Sequence, residues 1–247
     1  MIDLNLTEKQ FESDIEYSFL TYGGYAKGDA KAFDRTVALD VATLISFVKA
    51  TQPKSWEKYE TIYGTSCEKS FVERFCKEVR SLGLLSVLRH GFKDRGITFR
   101  VVYWKPETSI NQTAQAQYER NVLHCTRQLH YSVSNENSID IVLFLNGIPV
   151  VSMELKNQFT GQDTDNAIHQ YKFDRASKDT IFEFKNRVLI HFAVDLYNIF
   201  ITTRLQGGSF SRSAFRTSSR LQGSWYYFPR RLLEARNFHQ SDSTSTV

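Results

Sequence analysis

The sequence predicts a mixed α/β domain with helices flanking one central sheet. Two segments of helical period in the first third, a pair of near-continuously apolar runs meeting at Asn146-Gly147, and further strand-like runs at 187–194 and 198–204 predict it. A chain of 247 residues is long enough to bury such a sheet on both faces.

Thr7, with Gln10 three residues on, has the form of a capping box, so a helix is expected over 7–20, broken by Gly23-Gly24. Val37, Leu39, Val41, Leu44, Ile45 and Val48 predict a largely buried helix over 37–50, ended before Pro53. Phe71, Val72, Phe75, Val79 and Leu82 recur at helical spacing; a helix over 66–82 would turn them inward and stop at Gly83. Residues 84–88 and 97–103 are expected as strands around a turn-rich 90–96, then 113–123 as a helix and 124–133 as a strand. Residues 139–145 and 150–156 form the clearest strand pair, because Asn-Gly between β-branched runs is a strong hairpin signal. A polar turn at 157–163, a helix over 164–176 and two last strands complete a domain set at residues 1–208. No internal repeat is present.

Composition narrows the function classes. With 41% hydrophobic and 23% charged residues the chain reads as globular, not disordered. No run approaches the ~18 apolar residues of a membrane span. Met1-Ile2-Asp3-Leu4-Asn5 lacks the basic start and apolar core of a secretory signal, so a cytoplasmic protein with no membrane partner is expected. Cys67, Cys76 and Cys125 are odd in number and lack CxxC spacing, which suits reduced thiols and no zinc site. The net charge of +4 resides wholly in residues 209–247, which hold six Arg and two acids. Residues 1–208 carry 25 basic and 25 acidic groups, so the body is not a basic nucleic-acid binder by composition. Nine Ser among the last 39 residues, and Trp225-Tyr226-Tyr227-Phe228 without periodic partners, mark 209–247 as an Arg/Ser-rich, poorly ordered tail.

The residues that point to chemistry are Asp140 and, after thirteen intervening residues, Glu154-Leu155-Lys156. Glu154 and Lys156 share one strand face, with Cα atoms roughly 6–7 Å apart. Two carboxylates on neighbouring strands supply hard oxygen ligands to Mg²⁺, and a lysine beside them stabilises charge on a phosphate, as phosphodiester hydrolysis needs. Register decides whether they meet. A plain two-residue turn at Asn146-Gly147 would face Asp140 with Met153 and send Glu154 to the other side. A three-residue loop over 146–148, or an equivalent one-residue bulge, sets Asp140 across from Glu154. By spacing alone, a solvated strand end with a surface Glu154–Lys156 ion pair fits as well, although strands so apolar make charges at their ends costly.

The run 138–150, with Met153-Glu154-Leu155-Lys156-Asn157, closely resembles the N-terminal nuclease region of the restriction (R) subunit of type I restriction–modification enzymes. So do Val87-Leu88-Arg89-His90-Gly91, Thr126-Arg127-Gln128, Ala167-Ile168-His169-Gln170-Tyr171 and His191-Phe192-Ala193-Val194-Asp195, over roughly residues 10–208. The resemblance implies a PD-(D/E)xK, restriction-endonuclease-like core, with Asp140 and Glu154 as ligands of Mg²⁺ (or Mn²⁺ in its place) and Lys156 as catalytic lysine. Ile139 stands where that name has proline, a residue without chemistry. Gln170 is expected near the site on the following helix; Tyr171, adjacent and not spaced by three, faces elsewhere and packs. Arg127, Lys172 and Arg175 read as a solvated face more than as phosphate contacts, and His90, His124, His130 and His191 as ordinary packed or surface histidines. Glu73 or Glu78 is a weaker candidate for a further acid.

The resemblance implies double-stranded DNA and the modification and specificity subunits as partners. Sequence choice would lie in the specificity subunit, so this domain is expected to bind DNA weakly by itself. A docking module without catalysis is the alternative. R subunits continue into an ATP-driven translocase; this chain has no GxxxxGK[ST] loop, so ATP is not expected to act on it. A Phe-Leu-Pro-Phe-like continuation is expected near 210, where the chain reads Phe210-Ser211-Arg212-Ser213. Codons TTC-TCC-CGT-TCA encode that tetrapeptide and, shifted, contain Leu-Pro-Phe, so the tail reads as an out-of-frame end of a truncated subunit.

Overall fold

The computed structural model describes residues 8–107, 111–156, 169, 179–195, 199–205 and 211–212. The chain begins with α1 (Glu8–Tyr22), followed by three short strands, β1 (Ala26–Lys27), β2 (Phe33–Asp34) and β3 (Leu39–Asp40). Four helices come next: α2 (Val41–Thr51), α3 (Pro53–Tyr63), α4 (Cys67–Leu82) and α5 (Leu84–His90). A small hairpin, β4 (Phe92–Asp94) and β5 (Ile97–Phe99), precedes α6 (Gln112–Glu119). The long strands β6 (Leu123–His130), β7 (Ser138–Leu145) and β8 (Ile148–Leu155) are followed by β9 (Ile190–Val194), β10 (Ile199–Thr202) and β11 (Ser211–Arg212).

Among the described residues, seven strands form the central sheet in the order β1-β6-β7-β8-β9-β10-β11. The β6–β7, β7–β8 and β9–β10 pairs are antiparallel, whereas β1–β6 and β8–β9 are parallel, so the sheet is mixed. Ile141, Leu143 and Leu145 of β7, with Val151, Met153 and Leu155 of β8, pack into one core beneath the helices. Val142 and Phe144 turn the other way, toward Phe33, Phe182, Val188 and Ala193. Alternation across a sheet buried on both faces is why these strands read as unbroken apolar runs. Trp56, Tyr59, Phe71, Phe92 and Phe99 lock α3 and α4 onto the small hairpin, with ring centroids 5.1–6.3 Å apart.

Several expected elements are corrected. The helix expected over 37–50 starts at Val41, because Asp40 caps it and accepts from the Thr43 N–H at 3.0 Å. Pro53 not only ends that helix but opens α3 at its first position, where a missing N–H costs nothing. Residues 84–88 are helix and not strand: Leu84, Val87 and Leu88 are buried at helical spacing. Leu82 is exposed, not inward. The strand expected at 97–103 is limited to β5, and the expected turn at 90–96 contains β4. Parallel pairing of β8 and β9 requires a crossover between them. The helix expected over 164–176 falls there and, apart from a helical His169, lies outside the described residues.

Candidate active site

The β7–β8 hairpin turns on two residues, Asn146 (φ 52°) and Gly147 (φ 80°), both left-handed as a type I′ turn demands. Asn146 is fully buried and bonded on all sides. Its amide donates to the Val101 carbonyl and to Asn121 Oδ1, each at 2.9 Å, and its Oδ1 accepts from the Val122 N–H at 2.7 Å. The Gly147 carbonyl accepts from the Asp40 N–H, and a Cβ on Gly147 would stand 2.3 Å from the Asp40 carbonyl oxygen.

Leu145 therefore pairs with Ile148 and Phe144 with Pro149, the register that, continued, would separate Asp140 from Glu154. It does not continue. One step on, Leu143 pairs with Val151, leaving Val150 as a one-residue bulge, and Ile141 then pairs with Met153. Continued by one residue, this sets Asp140 opposite Glu154. The three-residue loop is thus replaced by its equivalent, a two-residue turn plus a bulge within β8.

Asp140 is half-buried near the start of β7. Its Oδ2 accepts from the Leu155 N–H at 2.7 Å, bridging to β8 just beyond Glu154. Glu154 is completely buried. Lys156, half-buried and just past β8, donates its backbone N–H to the Val194 carbonyl at 2.9 Å. Gln170 lies outside the described residues, as do Tyr171, Lys172 and Arg175.

The surroundings hold residues that sequence reasoning missed. Gln128 donates from Nε2 to Asp140 Oδ1 at 3.2 Å and to Glu12 Oε2 at 3.0 Å. Glu12 and Glu16, buried on α1, are gripped by Arg127 through bonds of 2.7 and 3.2 Å. Arg127 is thus a structural bridge and not part of a solvated face; the bond to Glu12, above all, raises its already high pKa. Asp195, also buried, follows Val194, the partner of Leu155, so the parallel register brings it beside Lys156. Its position after an apolar run, like that of Glu154, was a readable signal. Glu12 had none, as its partners are more than a hundred residues away.

The remaining candidates occupy other places. Glu73 is exposed facing Lys69, and Glu78 pairs with Arg74, both within α4. His191 is buried beside Ser152 at 2.8 Å, and burial pulls its pKa down to about 3. His124 is buried against Phe144, its pKa lowered by burial despite Asp40 nearby. The three cysteines are free and buried. Among the described residues no three His, Cys, Asp or Glu side chains converge as a metal cage, which leaves carboxylate pairs. No helix among those residues is long and apolar enough to cross a membrane.

Fold and site together define an α/β domain whose central hairpin carries an Asp…Glu-x-Lys set across a bulged register. Residues 90–210 match the family described as the type I restriction enzyme R protein N terminus. The matched span contains Asp140, Glu154 and Lys156, and the family it matches is described as the N terminus of a restriction enzyme subunit. Comparison with curated proteins gave no match.

Proposed function

We propose that this chain carries the Mg²⁺-dependent DNA endonuclease centre of a type I restriction enzyme R subunit, on a PD-(D/E)xK-like core. In this reading Asp140 and Glu154 hold the metal, Lys156 is the catalytic lysine, and Gln170 supports it. The observation that carries the reading is the bulge at Val150, without which Asp140 would face Met153. A bulge next to a site that re-aims a side chain is a recurrent device.

The donor set suits magnesium, which takes one or two carboxylates and keeps its other positions for water and phosphate oxygens. A carboxylate as deep as Glu154 is stable only beside positive charge or donors. Asp140 and Glu154 would hold such an ion, which would supply Lewis acidity toward the phosphate and the attacking water. Lys156, two residues from Glu154 on the same strand face, adds its ammonium to the charge that builds on the phosphate oxygens. Asp140 is tied through both oxygens before substrate arrives, so little reorganisation remains for the reaction.

The test is cleavage of plasmid DNA in Mg²⁺ or Mn²⁺ by the full chain assembled with modification and specificity subunits. Lys156→Ala should lower cleavage by about 10²-fold or more while leaving assembly intact. Undiminished cleavage by the variant refutes the role of Lys156. Assembly without cleavage by the unaltered chain favours the docking module.

A further inference from the structure

Gln128 sits in β6 with φ 47°, a left-handed backbone that a long side chain seldom adopts. Its neighbours Arg127 and Leu129 pair normally with Ile141 and Ile139, so the ladder breaks only opposite Asp140. Strain held at one residue, with regular pairing on both sides, marks a position determined by something other than the strand. Here that is the side chain. One amide hydrogen goes to Asp140 Oδ1, the other to Glu12 Oε2, and Oε1 accepts from Ser138 Oγ at 2.8 Å.

These partners settle which way the amide points. Reversed, it would set its oxygen against two carboxylates and its NH₂ against the Ser138 hydroxyl, losing both charge-assisted bonds. Glu12 cannot swing away, because Arg127 Nε holds its other oxygen at 2.7 Å. Arg127, Glu12, Gln128 and Asp140 form one chain of bonds from α1 to the hairpin. With Leu155 N–H on Oδ2, it fixes the plane of the Asp140 carboxylate while each oxygen keeps a lone pair for a cation. Gln128 is itself exposed, so the chain reaches the surface at this link between Glu12 and Asp140.

We propose that Gln128 is a positioning residue for divalent-metal binding, clamping Asp140 in its ligating orientation against the buried Glu12. The inference rests on the reading of Asp140 as a metal ligand. Groups that orient a ligand from behind commonly carry about 10–100-fold of metal affinity.

The experiment is calorimetric titration of the full chain with Mn²⁺, alongside its metal-free thermal unfolding midpoint. Asp140→Asn serves as the control for the underlying reading. Gln128→Ala should weaken Mn²⁺ binding about tenfold or more. Gln128→Asn keeps an amide and tolerates the left-handed backbone, but is one methylene too short to span both carboxylates; it should weaken binding comparably with the midpoint unchanged. Dissociation constants for both variants within twofold of the unaltered chain, with binding abolished in Asp140→Asn, would overturn the role of Gln128 alone. Equal binding by Asp140→Asn and the unaltered chain, or no binding by either, would overturn the ligand assignment and this inference with it.

Discussion

Replacing Asn146 tests what holds the hairpin in register. Its side chain makes three hydrogen bonds to the chain around residues 101, 121 and 122, all from a fully buried position. At about 1 kcal/mol each, they contribute about 3 kcal/mol. The left-handed backbone adds a separate cost of about 1–2 kcal/mol for a residue with a Cβ and no local bond. Two substitutions separate these effects. Asn146→Gly keeps the backbone conformation and loses the bonds, so about 3 kcal/mol of stability should disappear, whereas Asn146→Ala should lose about 4–5 kcal/mol. Urea unfolding followed by tryptophan fluorescence measures both. A loss below about 1 kcal/mol in Asn146→Gly, within the range of an ordinary surface change, would show that the side chain does not anchor the turn.

Other consequences follow from the same contacts. Gly147→Ala should cost about 3 kcal/mol or more in urea unfolding, as its Cβ would press on the Asp40 carbonyl at 2.3 Å from a backbone with φ 80°; a neutral result would contradict the close approach. Arg127→Met leaves Glu12 and Glu16 buried without their main cation and should destabilise by about 3 kcal/mol; an unchanged unfolding midpoint would show the bridge to be dispensable. His191 is held near 3, below its ordinary 6.5, so the unfolded chain takes up a proton that the folded one refuses. Its contribution is complete above pH 6.5 and lost as pH falls toward 3. Between pH 7.5 and 5.5 this amounts to about 1.4 kcal/mol of stability. His191→Gln should flatten that part of the pH profile, and an unaltered slope would refute the assignment.

The hairpin was legible because Asn-Gly and two β-branched runs carry their own signal, and so was the need for one extra residue in register. Its place was not: a turn with both central residues left-handed closes in two residues and moves the bulge to Val150. Helix α4 was legible from the spacing of Phe71, Val72, Phe75 and Val79. Helix α5 was misread because seven residues are too few for apolar period to separate helix from strand, and α3 was missed because Pro53 ends one helix while starting another. Asp140, Glu154 and Lys156 stood out through type and spacing within one hairpin. Glu12 and Gln128 did not, since a bond between residues 116 positions apart leaves no local pattern.

The most direct test of the central claim is a crystal structure of the chain soaked in Mn²⁺. The account predicts an ion bound by the carboxylates of both Asp140 and Glu154, with the Lys156 ammonium on the same side of the hairpin. Carboxylates pointing to opposite faces of the sheet, or an ion bound elsewhere with neither of them as ligand, would contradict it.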